Sequence, residues 1–148
     1  MRLWRISRYP GLSGIGGTFS NGRWHHAPRH VLYAAEHPAL ALAEVLAHLR
    51  ADLDLMPTSL RLLAIDVRAR ASHSPTPELP TGWQANEPTT QTLGDAWLDG
   101  NRSLLMKVPS AILPHAYSYL INPRHPHAAT HLTEVDEGPL WIDPRLVG

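Results

Sequence analysis

The sequence predicts an α+β fold in one domain, with five to seven short strands and two or three helices. Its 148 residues suit a single domain that buries one hydrophobic core. Short runs in which apolar and polar residues alternate indicate strands, whereas two segments with helical spacing indicate helices. No internal repeat or low-complexity tract divides the chain, so we expect one structural unit over residues 1–148.

The N-terminal half is predicted to supply three strands and one helix. The strand candidates are residues 2–8, 31–35 and 59–68. The first mixes apolar side chains with arginines, as a short edge strand does, and the regular alternation of the third indicates one buried face. Pro38 occupies the first turn of a helix that runs to about Leu49, a position where proline is tolerated.

The C-terminal half adds a second helix and further strands. Residues 90–98 have helical spacing, and Gly100 is expected to end the helix. The strands are predicted over 104–112, over 116–121 and, shorter, around 140–142. Residues 72–90 contain four prolines and little periodicity, so we expect an extended excursion there. Long loops of this kind often serve as lids or binding loops.

A glycine-rich segment precedes the first candidate for ligand contact. Residues 11–22 contain five glycines, too many for a regular element, and their backbone can approach a ligand closely. The segment differs from a P-loop and from the dinucleotide fingerprint, because no Gly-Lys-Ser/Thr sequence follows it and no helix pattern begins directly after it.

Composition excludes several classes of function. Without cysteine, the chain has no disulfide framework, no thiolate zinc site and no cysteine nucleophile, and it suits the reducing cytoplasm. The 13 basic and 13 acidic residues cancel, so no net field attracts nucleic acid, and we expect no direct nucleic-acid binding. No apolar run approaches the roughly 20 residues of a membrane span, and no targeting signal is recognisable.

Glu44 stands in an almost wholly apolar helix. An apolar face is predicted from Leu42, Val45, Leu46 and Leu49, with Glu44 nearly opposite on a face that is also mostly apolar. A buried carboxylate costs several kcal/mol unless it has a partner, on the order given for uncompensated buried charge. Spacing leaves two interpretations open: a solvated surface glutamate, or an acid partnered by Arg23 or by a ligand hydroxyl.

Arg23 and Tyr33 are ambiguous when each is taken alone. Arg23 follows the glycine-rich segment, and its planar guanidinium suits a bidentate contact with phosphate. Taken alone, however, the residue is better explained as a structural arginine that pairs with a carboxylate or stacks on Trp24. Tyr33 lies in an apolar strand, where a core residue with a satisfied hydroxyl is commoner than a stacking platform.

Serine-nucleophile and metal chemistry are disfavoured. Ser110 lacks a flanking G-x-S-x-G elbow. His125, His127 and His131 lie close in sequence, but there is no H-E-x-x-H helix and no cysteine, so we expect no bound metal.

Seven blocks together resemble the RES domain family. They follow the family's order with ordinary spacing and cover almost the whole chain: SNGRW at 20–24, LYAA at 32–35, ALALAEVLAHL at 39–49, TQTLGDAWL at 90–98, KVPSAI at 107–112, YLINPRHP at 119–126 and WIDPRL at 141–146. The chain departs from the family pattern at Asn21, where a glycine is usual, at His25, where an asparagine is usual, and at Ser118.

The resemblance implies a fold, an activity and a partner. RES proteins are typically the toxins of bacterial toxin–antitoxin pairs, neutralised by an Xre-type helix-turn-helix antitoxin, and their fold is similar to that of ADP-ribosyltransferase toxins with a small mixed β core. They degrade NAD⁺, which would be the substrate here, with no further cofactor except inorganic phosphate as a co-substrate. No membrane partner is implied, and self-association into a homo-oligomer stays open.

The resemblance also implies site residues. By motif position, the family's arginine, glutamate and serine correspond to Arg23, Glu44 and Ser110. With Tyr33 these would be catalytic: Arg23 on phosphate, Tyr33 against nicotinamide, Glu44 on the ribose and Ser110 orienting ribose or acceptor. The expected NAD⁺-binding residues are Gly22, Arg23, Trp24, Tyr33 and Asn122.

The acceptor of the ADP-ribosyl group is left open at this point. Water would make the protein an NAD⁺ glycohydrolase, phosphate an NAD⁺ phosphorylase, and a protein side chain an ADP-ribosyltransferase. A catalytically inactive module that binds a nucleotide or a partner is a further alternative.

Overall fold

A seven-stranded sheet with three helices forms the domain within the described part of the chain. The computed structural model describes residues 1–48 and 59–146. The strands are β1 (Arg2–Ser7), β2 (Leu32–Ala35), β3 (Arg61–Val67), β4 (His73–Ser74), β5 (Leu105–Pro109), β6 (Tyr117–Ile121) and β7 (Leu132–Pro139). The helices are α1 (Pro38–His48), α2 (Glu87–Gly100) and α3 (Ala128–His131). None of these helices has the length and apolar character needed to cross a membrane.

The sheet is mixed, with the order β4-β5-β6-β2-β1-β3-β7. Only β4 and β5 pair in parallel, and the other neighbours are antiparallel. Together with the three helices, this sheet confirms the predicted α+β class. The predicted strands at 31–35 and 59–68 and the two between 104 and 121 are present with trimmed ends.

The two faces of the sheet are covered differently, because side chains alternate along each strand. One face carries the larger core, whose buried members are Leu3, Leu32, Ala34, Ile65, Val67, Ala71, Leu104, Leu105, Tyr119, Ile121 and Leu132. On the opposite face, α1 packs against Ala35 of β2, and α2 packs against Met106 and Val108 of β5. We call this second face the helix face.

The prediction that the N-terminal strand lies at an edge is wrong. Strand β1 pairs with both β2 and β3, and Leu3 has no exposed surface. The arginines that suggested an edge are neutralised by acids on nearby strands. Arg2 forms an ion pair with Asp66 at 2.7 Å, and Arg5 forms one with Glu134 at 3.3 Å. A polar residue in an interior strand is tolerated when a carboxylate matches it.

The last strand also lies elsewhere than predicted. The last strand is β7, at Leu132–Pro139, whereas the strand was predicted around residues 140–142. Trp141, the middle residue of that apolar triplet, is 76% exposed. Strand β7 is the edge strand beyond β3, so much of its length faces water and it reads as polar. The apolar triplet was a misleading signal, because edge strands need little apolar content.

The proline-rich segment is more ordered than an extended excursion. Within it His73–Ser74 forms β4, Trp83–Ala85 forms a turn of 3-10 helix, and α2 begins at Glu87. Pro88 therefore lies in the first turn of α2, where its missing N–H costs nothing. At the other end Gly100 is still helical, and the next residue, Asn101, adopts the left-handed conformation that ends the helix.

Helix α1 turns a different face to the sheet from the one predicted. Leu40 and Ala41 are buried, whereas Leu42, Val45 and Leu46 are only half-buried. Leu49, the predicted end of the helix, lies outside the described residues. Since Leu40 and Ala41 precede Glu44 by four and three residues, Glu44 shares their side of the helix. The rotation of α1 about its axis is therefore set by the packing of Leu40 and Ala41 against the sheet.

Helix α2 meets the segment around Trp24 at a very close approach. Gly94 faces the backbone of Trp24, and a Cβ at Gly94 would overlap the Trp24 carbonyl oxygen. The buried hydroxyl of Thr90 donates to the carbonyl of Arg23, and the Gln91 amide donates to the carbonyl of Gly22 at 3.0 Å. Glycine is therefore required within this helix because backbone lies directly against it.

We expect Gly94→Ala to lower the free energy of unfolding by about 1–3 kcal/mol, because the added methyl forces α2 away from Trp24. Urea unfolding measures the change. Gly100→Ala in the same helix is the matched control, since its Cβ would meet only the Arg102 side chain, at 3.8 Å. That control should be neutral or stabilising by up to about 1 kcal/mol. Equal effects at the two positions would contradict the close approach.

Candidate functional site

Arg23 is held by the start of α2 and by the turn just before that helix. Its Nη1 donates to the carbonyl oxygen of Gln84 at 2.8 Å, and its Nη2 lies 3.8 Å from the carboxylate of Glu87. The Arg23 side chain is 29% exposed and that of Glu87 is 57% exposed. Among the described residues, a single backbone bond and a long ion pair occupy the guanidinium, which leaves further N–H groups for a ligand.

Tyr33 lies beside Arg23 on the helix face, and its hydroxyl has two partners. It accepts a hydrogen bond from the Trp24 backbone N–H at 3.1 Å and lies 2.6 Å from Nδ1 of His25. The other ring nitrogen of His25, Nε2, lies 2.9 Å from the carbonyl oxygen of Gly17. A Cβ at Gly22 would overlap the Tyr33 hydroxyl, so a larger residue there would displace it.

Burial keeps the Tyr33 phenol neutral. Desolvation raises the pKa of Tyr33 well above its ordinary value, and the hydrogen bond from Trp24 opposes this shift only in part. Asp95 and Glu87 also raise the pKa by their negative charge, whereas the nearby Arg23 lowers it. At neutral pH, Tyr33 therefore offers an uncharged ring and a hydrogen-bonded hydroxyl.

Glu44 and Ser110 form a hydrogen-bonded pair. The Ser110 hydroxyl, in a residue only 7% exposed, donates to Oε1 of Glu44 at 2.9 Å. It also accepts from the backbone N–H groups of Ile112 and Leu113 at 3.2 and 3.3 Å. Of the two interpretations of Glu44, the partnered acid holds, although the partner is Ser110 rather than Arg23. A carboxylate with one neutral donor retains capacity to accept from a ligand.

Three of these residues, Tyr33, Glu44 and Ser110, share the helix face. Tyr33 precedes Ala35 by two residues on β2, and Ser110 follows Val108 by two residues at the end of β5, so both continue the alternation that faces α1 and α2. Helix α1 carries Glu44 over one end of this surface, where Ser110 lies. Tyr33 lies in the part nearer α2, and Arg23 contacts the start of that helix. Their roles toward a ligand stay predictions.

Asn122 lies at the other end of the β5–β6 pair. Ser110 follows the end where Pro109 pairs with Tyr117, whereas Asn122 follows the end where Leu105 pairs with Ile121. The Asn122 side chain is buried and donates to Asn101 at 2.9 Å. It borders an open cavity of about 510 Å³, which Arg29 and Arg124 also line. Its predicted contact with NAD⁺ stays a prediction.

The glycine-rich segment approaches the protein's own backbone. Gly14 adopts φ +67° and accepts a hydrogen bond from the Val31 N–H at 3.2 Å. A Cβ at Gly17 would overlap the carbonyl oxygen of Arg29. These two glycines allow the segment to pack beside the start of β2, and Ile15–Thr18 forms a turn of 3-10 helix there. A backbone contact with a ligand stays a prediction.

The histidine cluster near the C-terminus packs by ring stacking. The rings of His127 and His131 lie 5.0 Å apart and nearly parallel, and His125 meets His127 edge-on at 5.3 Å. Over residues 1–48 and 59–146, no group of three or more His, Asp or Glu side chains is arranged to hold a metal ion.

Sequence reasoning assigned no role to the acids of α2 that hold the loop after Trp24. Asp95 accepts from the backbone N–H of His26 at 2.8 Å, and its other oxygen lies 2.6 Å from the His26 ring. Arg29 donates to Asp99 through two nitrogens at 2.9 and 3.0 Å. The sequence signal for this contact was the set of polar residues Thr90, Gln91 and Asp95 within an amphipathic helix.

Three comparisons with known proteins bear on this arrangement. The RES domain family model matches residues 2–143. A relative named Toxin Res from Pseudomonas putida strain KT2440 is 47% identical over 137 residues, covering 93% of this chain and 94% of its own. A relative from Sphingobium sp. strain YBL2, named Prs ADP-ribosylating toxin, is 36% identical over 144 residues, with 92% and 86% covered.

A solved structure has the same fold. It is the MbcT–MbcA toxin–antitoxin complex of M. tuberculosis, whose matching chain superposes with a TM-score of 0.70 at 19% identity. The match covers 99% of this chain and 86% of the other. This similarity supports the α+β assignment over almost the whole chain.

We expect stability to fall at high pH through Tyr33. A pKa that is higher in the folded than in the unfolded state means that the stabilisation is fully present below the ordinary tyrosine value of about 10 and is lost as pH rises through the folded value. Between pH 10 and 11 the free energy of unfolding should drop by up to about 1.4 kcal/mol more in the wild type than in Tyr33→Phe. Urea unfolding at each pH measures the difference.

Tyr9→Phe is the control for this titration, since Tyr9 is 60% exposed. It should follow the wild type at every pH. A constant gap between wild type and Tyr33→Phe across the range would show that Tyr33 titrates normally.

Proposed function

The chain belongs to the RES domain family and is a toxin of that family, and we propose that it acts by cleaving the nicotinamide–ribose bond of NAD⁺, with water or inorganic phosphate as the acceptor. The observation that carries this proposal is the Glu44–Ser110 pair on the sheet face that also carries Tyr33, near which Arg23 lies. A carboxylate can stabilise the developing positive charge, and a cation, an aromatic ring and a hydroxyl can position the dinucleotide.

The chemistry makes modest demands on the protein. Nicotinamide leaves from a cationic pyridinium, so expelling it needs no general acid, and the transition state resembles an oxocarbenium ion, as in glycoside cleavage. The Glu44 carboxylate accepts from a ribose hydroxyl and stabilises the positive charge that develops on the sugar. Ser110 holds the carboxylate oriented through its hydrogen bond.

The remaining groups position the dinucleotide. Arg23, whose guanidinium is only partly used within the protein, binds the pyrophosphate. The neutral ring of Tyr33 packs against nicotinamide, and Gly22 and Trp24 complete the surface beside it. Asn122 would be reached only by a ligand that extends along the length of β6.

The acceptor is identified by product analysis. Purified protein is incubated with NAD⁺ in the presence and absence of inorganic phosphate, and the products are identified by mass spectrometry. ADP-ribose indicates water and ADP-ribose phosphate indicates phosphate as the acceptor. Tight binding of NAD⁺ without products would instead indicate an inactive binding module.

Transfer to a protein is the second candidate, and the name of the Sphingobium relative favours it. The same pair of Glu44 and Ser110 serves either acceptor, because the bond that breaks is the same. A mass increase of one ADP-ribosyl group on a protein, with matching release of nicotinamide, would distinguish this outcome.

We also infer that an antitoxin binds the chain, since the structurally similar MbcT is recorded in complex with the antitoxin MbcA. An Xre-type helix-turn-helix protein is the partner that the sequence resemblance favours, and cytoplasmic NAD⁺ is the pool that the toxin would consume. Co-expression with a neighbouring helix-turn-helix protein, followed by co-purification, tests this inference.

Glu44→Gln should lower kcat by about 100- to 1,000-fold, because it removes the charge that stabilises the transition state. The variant retains an oxygen that can accept from Ser110, so the fold should persist. Nicotinamide release is the measurement. Glu36→Gln is the matched control, since Glu36 is exposed and accepts only from the Tyr117 backbone N–H. Wild-type turnover by Glu44→Gln would contradict the proposal.

Arg23→Ala should lower kcat/KM by about 10- to 100-fold, since it removes a charge-assisted contact of about 1.5–3 kcal/mol. Arg2→Ala is the control, because Arg2 is a surface residue paired with Asp66. Thermal unfolding monitors the fold. Loss of cooperative unfolding in Arg23→Ala would assign the arginine a structural role through Gln84 instead.

A further inference from the structure

His25 is a buried polar residue beside the site to which the proposed function gives no task. Its ring is 2% exposed, and both ring nitrogens lie within hydrogen-bond distance of a partner. Neither partner is an acid or a metal. Such a residue is usually explained by what it holds in place.

The partners determine the tautomer. The carbonyl oxygen of Gly17 can only accept, so Nε2 of His25 carries the hydrogen. Nδ1 then has a lone pair, and the Tyr33 hydroxyl donates to it across 2.6 Å. The same hydroxyl oxygen accepts from the Trp24 N–H.

These hydrogen bonds determine the direction of the Tyr33 hydroxyl hydrogen. It points into the protein toward His25, so the hydroxyl has no hydrogen to give to a ligand on the helix face. Tyr33 therefore offers only its ring to a ligand on the helix face. The ring is held at its far end by two hydrogen bonds, of which only the one with His25 uses a side chain.

We propose that His25 is a positioning residue that fixes the ring of Tyr33 against the ligand and links it to the glycine-rich segment through Gly17. The effect on turnover rests on the proposed function, whereas the contact itself does not. Without the imidazole, the Tyr33 hydroxyl loses its acceptor in a buried site, and the ring can tilt away from nicotinamide.

Three substitutions separate the two bonds of His25. Asn at position 25 can place an oxygen near the Nδ1 position and accept from Tyr33, but it is too short to reach Gly17. Gln can place a donor near the Nε2 position and retain Gly17, but it loses Tyr33. Leu removes both bonds at similar volume. We expect kcat/KM for NAD⁺ to fall about tenfold in His25→Leu and His25→Gln, the equivalent of one hydrogen bond of about 1.4 kcal/mol, and less than threefold in His25→Asn.

A double-mutant cycle tests whether His25 acts through Tyr33. Tyr33→Phe should itself cost about tenfold, and adding His25→Leu to it should cost little more, because the bond is already absent. Multiplication of the two losses to about 100-fold would overturn the proposal. So would wild-type turnover in His25→Leu, or a Gln variant more active than the Asn variant.

A spectroscopic readout keeps this test independent of turnover. In protein with ¹⁵N-labelled histidine, the Nδ1 resonance of His25 should report a hydrogen-bonded acceptor and should shift in Tyr33→Phe, whereas that of the exposed His37 should not. An unchanged His25 resonance would overturn the proposal. A shifted resonance in a protein that never releases nicotinamide would retain the contact and refute the proposed function.

Discussion

The contact between helix α2 and the backbone of residues 22–24 is the constraint on which the site depends. Two carbonyl groups of this segment, of Gly22 and Arg23, receive hydrogen bonds from side chains of α2. The helix comes near enough to the Trp24 backbone only because residue 94 is glycine and has no Cβ. These two hydrogen bonds and the close approach at position 94 together fix the path of the segment. The direction of Arg23 is therefore decided by residues about 70 positions later.

The acidic part of the site is built by other elements. Glu44 is carried by α1, and Ser110 by the turn that follows β5, which also supplies two backbone N–H groups to the serine. Strand β6 pairs both with β5, which leads to Ser110, and with β2, which carries Tyr33, and so sets the spacing between them. The arrangement thus combines a loop anchored by a helix with a polar pair at a strand end, both mounted on one sheet.

The fold class and the central strands could be predicted from the sequence, because alternation survives wherever one face is buried. Features that depend on distant partners could not. Strand β1 reads as an edge because its arginines find acids on other strands, and β7 reads as a loop because an edge strand needs few apolar residues. Spacing left Glu44 ambiguous for the same reason: its partner Ser110 is 66 residues away. The role of Gly94 depends on a backbone that no local pattern reveals.

The strand order has a consequence for when the protein becomes competent during its synthesis. Strand β2, which carries Tyr33, lies between β1 and β6, and β6 ends only at Ile121. Glu44 likewise waits for Ser110. A nascent chain that has emerged as far as α2 therefore lacks both the inner neighbour of Tyr33 and the partner of the acid. A ribosome therefore completes most of the chain before Tyr33 and Glu44 have the neighbours that they have in the folded protein.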